Sequence, residues 1–142
     1  MTVSLTRVRW LRVLGVATSV VALSFIVLMV ITAGYAFILA FQARGAPDQG
    51  AIGRFAAQIS PSLMPWLECL LALILSCSVG RKSEESSTAQ GLFIGIFAGL
   101  LGLVVALFFR GHVSSSSLLF ASGVALAGWI GGLFGEKWPA KR

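Results

Sequence analysis

Four long apolar segments run along the chain, and short polar segments separate them. Crossing a hydrocarbon layer of about 30 Å takes roughly 20 apolar residues, since a helix rises about 1.5 Å per residue. The segments that meet this requirement span residues of about 13–41, 63–79, 92–109 and 118–134. The pattern therefore predicts an all-α integral membrane four-helix bundle that forms one transmembrane domain over residues 1–142.

The first segment is the longest, and basic residues precede it as they precede the apolar core of a signal peptide. Its apolar run is about twice as long as such a core, which has roughly 7–15 residues. We therefore expect a long helix here that tilts or protrudes from the membrane.

Composition agrees with a membrane location. Of the 142 residues, 57% are apolar and only 11% are charged, whereas a soluble domain carries about 25% charged residues. Two cysteines are too few for a disulfide scaffold. The glycines do not recur with the regular period of collagen, so a collagen-like chain is excluded.

The basic residues are distributed unequally between the two predicted sides of the membrane. With the N-terminus inside, eight of the eleven Lys and Arg residues are cytoplasmic and three are outside. Since short cytoplasmic loops carry an excess of Lys and Arg, the sequence predicts an N-in/C-in topology. Topology and contact with anionic membrane lipid account for the net charge of +6, so no nucleic-acid partner is expected.

The connection between the first two spans has an apolar side of its own. Ile52, Phe55, Ala56 and Ile59 follow the i, i+3, i+4, i+7 spacing of one helix face. This spacing predicts a short interfacial helix in the first outer loop, with an irregular loop as the alternative. Pro61 suits the first turn of the helix that follows.

Small residues recur at every third or fourth position of the last two spans and fall on one side of each helix. Such sides let helix backbones approach closely in lipid. The predicted packing residues are Gly91, Gly95, Gly99 and Gly102 in the third span, and Ala121, Ala125, Gly128, Gly132 and Gly135 in the fourth. They predict packing inside one bundle or, alternatively, docking of a second copy or another protein.

Weaker small-residue sides occur on the first two spans, so that all four helices are expected to have one. The second span has Cys69, Ala72, Ser76 and Gly80. The first has Gly15, Ser19, Ala22, Ala33, Ala36 and Ala40.

Glu68 is the only charged residue inside a predicted span. Charges in the membrane are costly and mark functional sites by default, so Glu68 is a candidate proton or cation site for ion coupling. The alternative is a structural carboxylate near the outer headgroups. Its partner would be a basic residue on that side: Arg110, His112, Arg54 or Arg44.

The sequence offers no catalytic or metal-binding constellation. Cys69 and Cys77 are separated by about 12 Å of helical rise, too far for a disulfide or a shared metal ion. His112 is the only histidine, and neither a second acidic residue within a span nor a phosphate-binding loop is present. We therefore expect a protein that is not an enzyme and has no metal or cofactor.

Three stretches in the second half of the chain carry a resemblance: Gly80–Arg81–Lys82, Gly91–Leu92–Phe93–Ile94–Gly95 and Gly128–Trp129–Ile130–Gly131–Gly132. There the chain resembles small uncharacterised bacterial four-span membrane proteins, which have a charged cytoplasmic hinge followed by Gly-rich third and fourth helices. Small multidrug-resistance transporters differ because their essential carboxylate lies in the first span. Dual-topology fluoride channels differ because they show little charge bias.

The glycine patterns and the scarcity of charges favour a non-catalytic accessory, assembly or scaffold subunit of a membrane complex. Such a subunit would pack into a homo-oligomer or against other membrane subunits in a bacterial plasma (inner) membrane. The alternative is a small transporter or channel that uses Glu68. A weaker alternative is a pigment- or lipid-binding membrane subunit, with His112 as a candidate ligand.

Overall fold

The structure is a computed structural model that describes residues 9–43, 45–46, 48–81, 87–110 and 114–138, except the side chains at 109 and 110. Its elements are four helices: α1 (Trp10–Ala43), α2 (Gln49–Arg81), α3 (Ser87–Arg110) and α4 (Ser115–Lys137). All four are long and apolar enough to cross a membrane. The predicted all-α chain with four potential spans is therefore confirmed.

The first outer loop differs from the prediction. The segment from Ile52 to Ile59 is helical, but it belongs to α2 and does not form a separate interfacial helix. Pro61, expected in a first turn, lies inside α2 together with Pro65. Each proline removes one hydrogen bond, whereas ending the helix would leave several backbone groups of its last turn without helical partners. The helix therefore continues through both prolines.

The helices form two pairs of different length. The 34 residues of α1 and the 33 of α2 correspond to about 50 Å. The 24 residues of α3 and the 23 of α4 correspond to about 35 Å. Because α1 and α2 are longer, they extend past α3 and α4, and in this extension Tyr35 stacks on Phe55 with ring centroids 3.9 Å apart.

Helix α4 packs against both α2 and α3, while α1 packs on α2 and α3 from outside. The side chains at the centre of the bundle are small: Ala17, Val20, Ala72, Ala98 and Val124. Ser114 caps α4, because its side chain accepts a hydrogen bond from the Ser117 amide. We call the end of the bundle near Trp10, Arg81 and Trp138 the termini end, and the opposite end the α3–α4 end.

The N-terminal half of α1 does not pack through its predicted small-residue side. It buries Val13, Ala17, Val20, Val21 and Ser24. Gly15, Ser19 and Ala22 are exposed, and a Cβ added to Gly15 would meet no atom within 4 Å. The expectation fails because β-branched residues of α1 fit the groove between α2 and α3, which leaves the small side facing outward.

Candidate functional site

The glycine side of α3 lies directly against the backbone of α4. A Cβ added to Gly91 would lie 2.6 Å from the Gly128 carbonyl oxygen, and one added to Gly95 would lie 2.7 Å from that of Val124. Gly99 is in the same position against Ala121, at 2.9 Å from its carbonyl oxygen. Real Cβ atoms do not come this close, so only glycine permits this separation of the two helices.

Helix α4 has a second small-residue side, which faces α2 and which the sequence reasoning missed. Its members are spaced by four residues: Gly123, Ala127, Gly131 and Gly135. A Cβ at Gly135 would lie 2.7 Å from the Cα of Gly80, and one at Gly131 would meet the carbonyl oxygen of Leu73. Gly135, predicted in one stripe with Gly128 and Gly132, thus belongs to the α2 contact.

Gly102, predicted as a helix-packing residue, lies against a side chain. A Cβ added to Gly102 would lie 2.9 Å from Oε2 of Glu68 and 3.4 Å from its Oε1. The missing side chain at Gly102 therefore provides the space that the Glu68 carboxylate occupies. Glu68 is half-buried, and its carboxylate lies against α3.

The Glu68 carboxylate borders a cavity of about 400 Å³ in the half of the bundle toward the α3–α4 end. All four helices line it. Its polar groups are those of Glu68, Ser60, Ser116 and Ser117, and its apolar wall includes Phe25, Met64, Leu103, Val105, Ala106, Phe120 and Ala121. A cavity of this size and lining is typical of small-ligand sites, which lie between about 300 and 1,000 Å³.

The two prolines of α2 also line this cavity. Proline has no N–H to donate to the carbonyl four residues earlier. The carbonyls of Ala57 and Pro61 therefore lack their helical donors, and the second of these belongs to a cavity-lining residue. A carboxylate and three hydroxyl groups thus border one cavity, and one lining residue, Pro61, has a carbonyl without its helical donor; all of these groups can accept hydrogen bonds or contact a cation.

The predicted partners of Glu68 can be placed only in part. Arg54 pairs with Asp48 at 3.6 Å, and both side chains are largely exposed. The side chain of Arg110 and all of His112 and Arg44 lie outside the described residues. Within the described residues, no basic group pairs with Glu68.

A second polar cluster joins α3 to α4 at the termini end. Thr88 donates a hydrogen bond to Oε2 of Glu136, and Ser87 donates to the same oxygen at 3.3 Å. The Arg81 side chain donates to the Trp138 carbonyl oxygen at 3.1 Å. These hydrogen bonds satisfy polar groups at the ends of three helices.

Neither thiol belongs to a metal-binding arrangement in the described part of the chain, where no three His, Cys, Asp or Glu residues cluster. Cys69 lies beside Gly123, at 3.7 Å from the Cβ position there, and so contributes to the α2–α4 contact.

Sequence reasoning identified Glu68 but missed the cavity beside it. A signal was present, because Ser60, Met64 and Glu68 are spaced by four residues, as are Pro61 and Pro65. The two sets share one side of α2. Comparison of the chain with protein-family models, with curated proteins and with solved structures found no match.

Proposed function

We propose that this protein is a small non-catalytic membrane protein that binds a cationic ligand at Glu68 and acts as a transporter or channel. The observation that carries the proposal is the carboxylate of Glu68 beside a cavity of about 400 Å³. A carboxylate in the membrane is costly unless a cation or a proton compensates its charge.

The arrangement of α2 supports this proposal. A proline inside a helix leaves one carbonyl without its helical donor, and at membrane depth such a group is tolerated where it lines a cavity or meets protein. Here Pro61 and Pro65 lie on the same side of α2 as Glu68 and line the same space. Such carbonyls add partial negative charge beside the carboxylate, which favours a cation over a neutral ligand.

We further propose an N-in/C-in orientation in a bacterial plasma membrane, on the basis of the distribution of Lys and Arg. The cavity then lies in the outer half of the membrane.

A scaffold or accessory subunit remains a second candidate function. The glycines of α3 and α4 that suggested docking already pack against other helices of the same chain. The observation that favours this candidate is instead the exposed small-residue side of α1, at Gly15, Ser19 and Ala22. Loss of complex formation on Ala22→Leu, with Glu68→Gln tolerated, would favour this role.

Cation binding is tested with tetramethylammonium and the purified protein in phosphatidylcholine nanodiscs, by isothermal titration calorimetry. We expect Glu68→Gln to lower the affinity at least tenfold, because it removes the charge and keeps the shape. Glu136→Gln is the matched control, since Glu136 lies at the other end of the bundle and keeps hydrogen-bond acceptors as glutamine. Equal affinities of the wild type and Glu68→Gln would refute the proposal.

A further inference from the structure

A second apolar space adjoins the Glu68 cavity. It is a groove of about 560 Å³ between α1 and the first turns of α2. The groove extends along α1 from Phe25 through Met29 and Ala33 to Ala36, and Gln49 and Ile52 border it on α2. Phe25 lines both the groove and the Glu68 cavity, so the two spaces meet at this side chain.

The groove is apolar along its length. Thr32 donates its hydroxyl to the Leu28 carbonyl oxygen at 3.0 Å, so that its methyl group remains for contact with a ligand. Gln49 is the first residue of α2 and borders the groove at the end where α1 stops and α2 begins. The cavity thus holds a carboxylate, the groove is mostly apolar with a polar group at Gln49, and Phe25 borders both.

We propose that the cavity and the groove form one bipartite site for a membrane-soluble amphiphile with a single positive charge. The cationic head lies at Glu68, and the apolar tail passes Phe25 and lies between α1 and α2. This inference rests on the proposed function and adds the chemical class of the ligand to it.

Charge and shape complementarity single out this ligand class. A compact cation would make no contact with the groove, and a neutral lipid would leave Glu68 without a compensating charge. In lipid, an apolar tail gains little energy from apolar contact alone. The head at Glu68 therefore provides the affinity, while the groove decides where the tail lies and which tail shapes are accepted.

The test uses a dodecyltrimethylammonium probe with a diazirine at the chain end, photo-crosslinked to the protein in phosphatidylcholine nanodiscs. Crosslinked peptides are mapped by mass spectrometry. We expect adducts along α1 between Phe25 and Ala36 and at the start of α2, with at least tenfold less labelling after Glu68→Gln.

Ala33→Trp fills the groove and should lower labelling at these positions at least fivefold. Gly34→Trp is the matched control, because no atom lies within 4 Å of a Cβ there and Gly34 does not line the groove. Thermal unfolding of both variants verifies that they are folded. Tetramethylammonium, which has no tail, should bind Ala33→Trp and the wild type equally.

The possible results separate the two proposals. Labelling spread over all lipid-facing helices and insensitive to Ala33→Trp, with tetramethylammonium still bound through Glu68, would overturn the tail site alone. If Glu68→Gln changes neither labelling nor tetramethylammonium binding, both the proposed function and the bipartite site are refuted.

Discussion

The two ends of the bundle pack in opposite ways. Toward the termini end, α4 touches α2 at Gly80 and Gly135 and α3 at Gly91 and Gly128, so that backbone meets backbone. Toward the α3–α4 end, α3 and α4 stay together at Gly99 and Ala121, but α2 is held apart and a cavity remains.

The residues of α4 that face α2 explain this difference. From Gly135 back to Gly123 they are all glycine or alanine, and α2 follows them closely. Farther toward the start of α4, Phe120 and Ser116 border the cavity, and α2 brings two prolines to the same level. Close packing of α4 on α2 therefore stops at the level of Phe120 and the two prolines, so that one helix borders a closely packed region and a cavity.

The largest effect is expected from a substitution near the termini end, where α4 packs closely against α2 and α3. Gly128→Leu places a side chain where the Gly91 carbonyl oxygen lies 2.6 Å from a Cβ. Since backbone cannot move aside cheaply, we expect a loss of at least about 3 kcal/mol in unfolding free energy. Gly34→Leu is the control, because no atom lies within 4 Å of a Cβ there. Thermal unfolding in detergent measures both, and equal stability would contradict the close contact.

Pro65→Ala should make the hydrogen bonding of α2 at the α3–α4 end more like that at the termini end. Alanine restores an amide that donates to the Pro61 carbonyl, and we expect α2 to gain up to about 3 kcal/mol in stability. Tetramethylammonium affinity should fall about tenfold, because the carbonyl is no longer free. Pro61→Ala acts one turn farther from Glu68 and should have the smaller effect on affinity. An unchanged affinity for both variants would exclude a role of the prolines in binding.

Gly102→Ala should affect binding without affecting the fold. The added methyl group would meet the Glu68 carboxylate at 2.9 Å, and the end of a glutamate side chain can move. We expect a roughly fivefold to tenfold loss of tetramethylammonium affinity and a stability change below about 1 kcal/mol. Gly123→Ala, where the nearest atom is 3.7 Å away, should bind as the wild type does. Equal binding by both variants would show that the position of the carboxylate is unimportant.

The smallest effect concerns a buried hydroxyl at the α2–α4 contact. Ser76 is fully buried, and its Oγ has no hydrogen-bond partner in the described part of the chain. Ser76→Ala should therefore stabilise the protein by about 1 kcal/mol, since it removes an unpaired polar group. The exposed Ser78, which donates to the Ile74 carbonyl oxygen at 3.0 Å, is the control and should change little on Ser78→Ala. Destabilisation by Ser76→Ala would reveal a partner for this hydroxyl.

The sequence by itself determined the four helices, because helix length and continuous apolar character are local properties. It also identified some of the positions that approach another backbone, since the spacing of Gly91, Gly95 and Gly99 is visible without a fold. The expected separate helix over Ile52–Ile59 was wrong because Pro61 was expected to begin a new helix, whereas α2 continues through it.

Only the tertiary structure decided which helix each small residue meets. Gly102 and Gly135 continue the patterns of their neighbours, yet the first lies against Glu68 and the second against Gly80. Small residues permit close approach by any partner. The small side in the N-terminal half of α1 remains exposed, because β-branched residues of α1 make the contacts with the other helices instead. The cavity and the adjoining groove likewise arise from the separation of four helices, a distance that no single helix encodes.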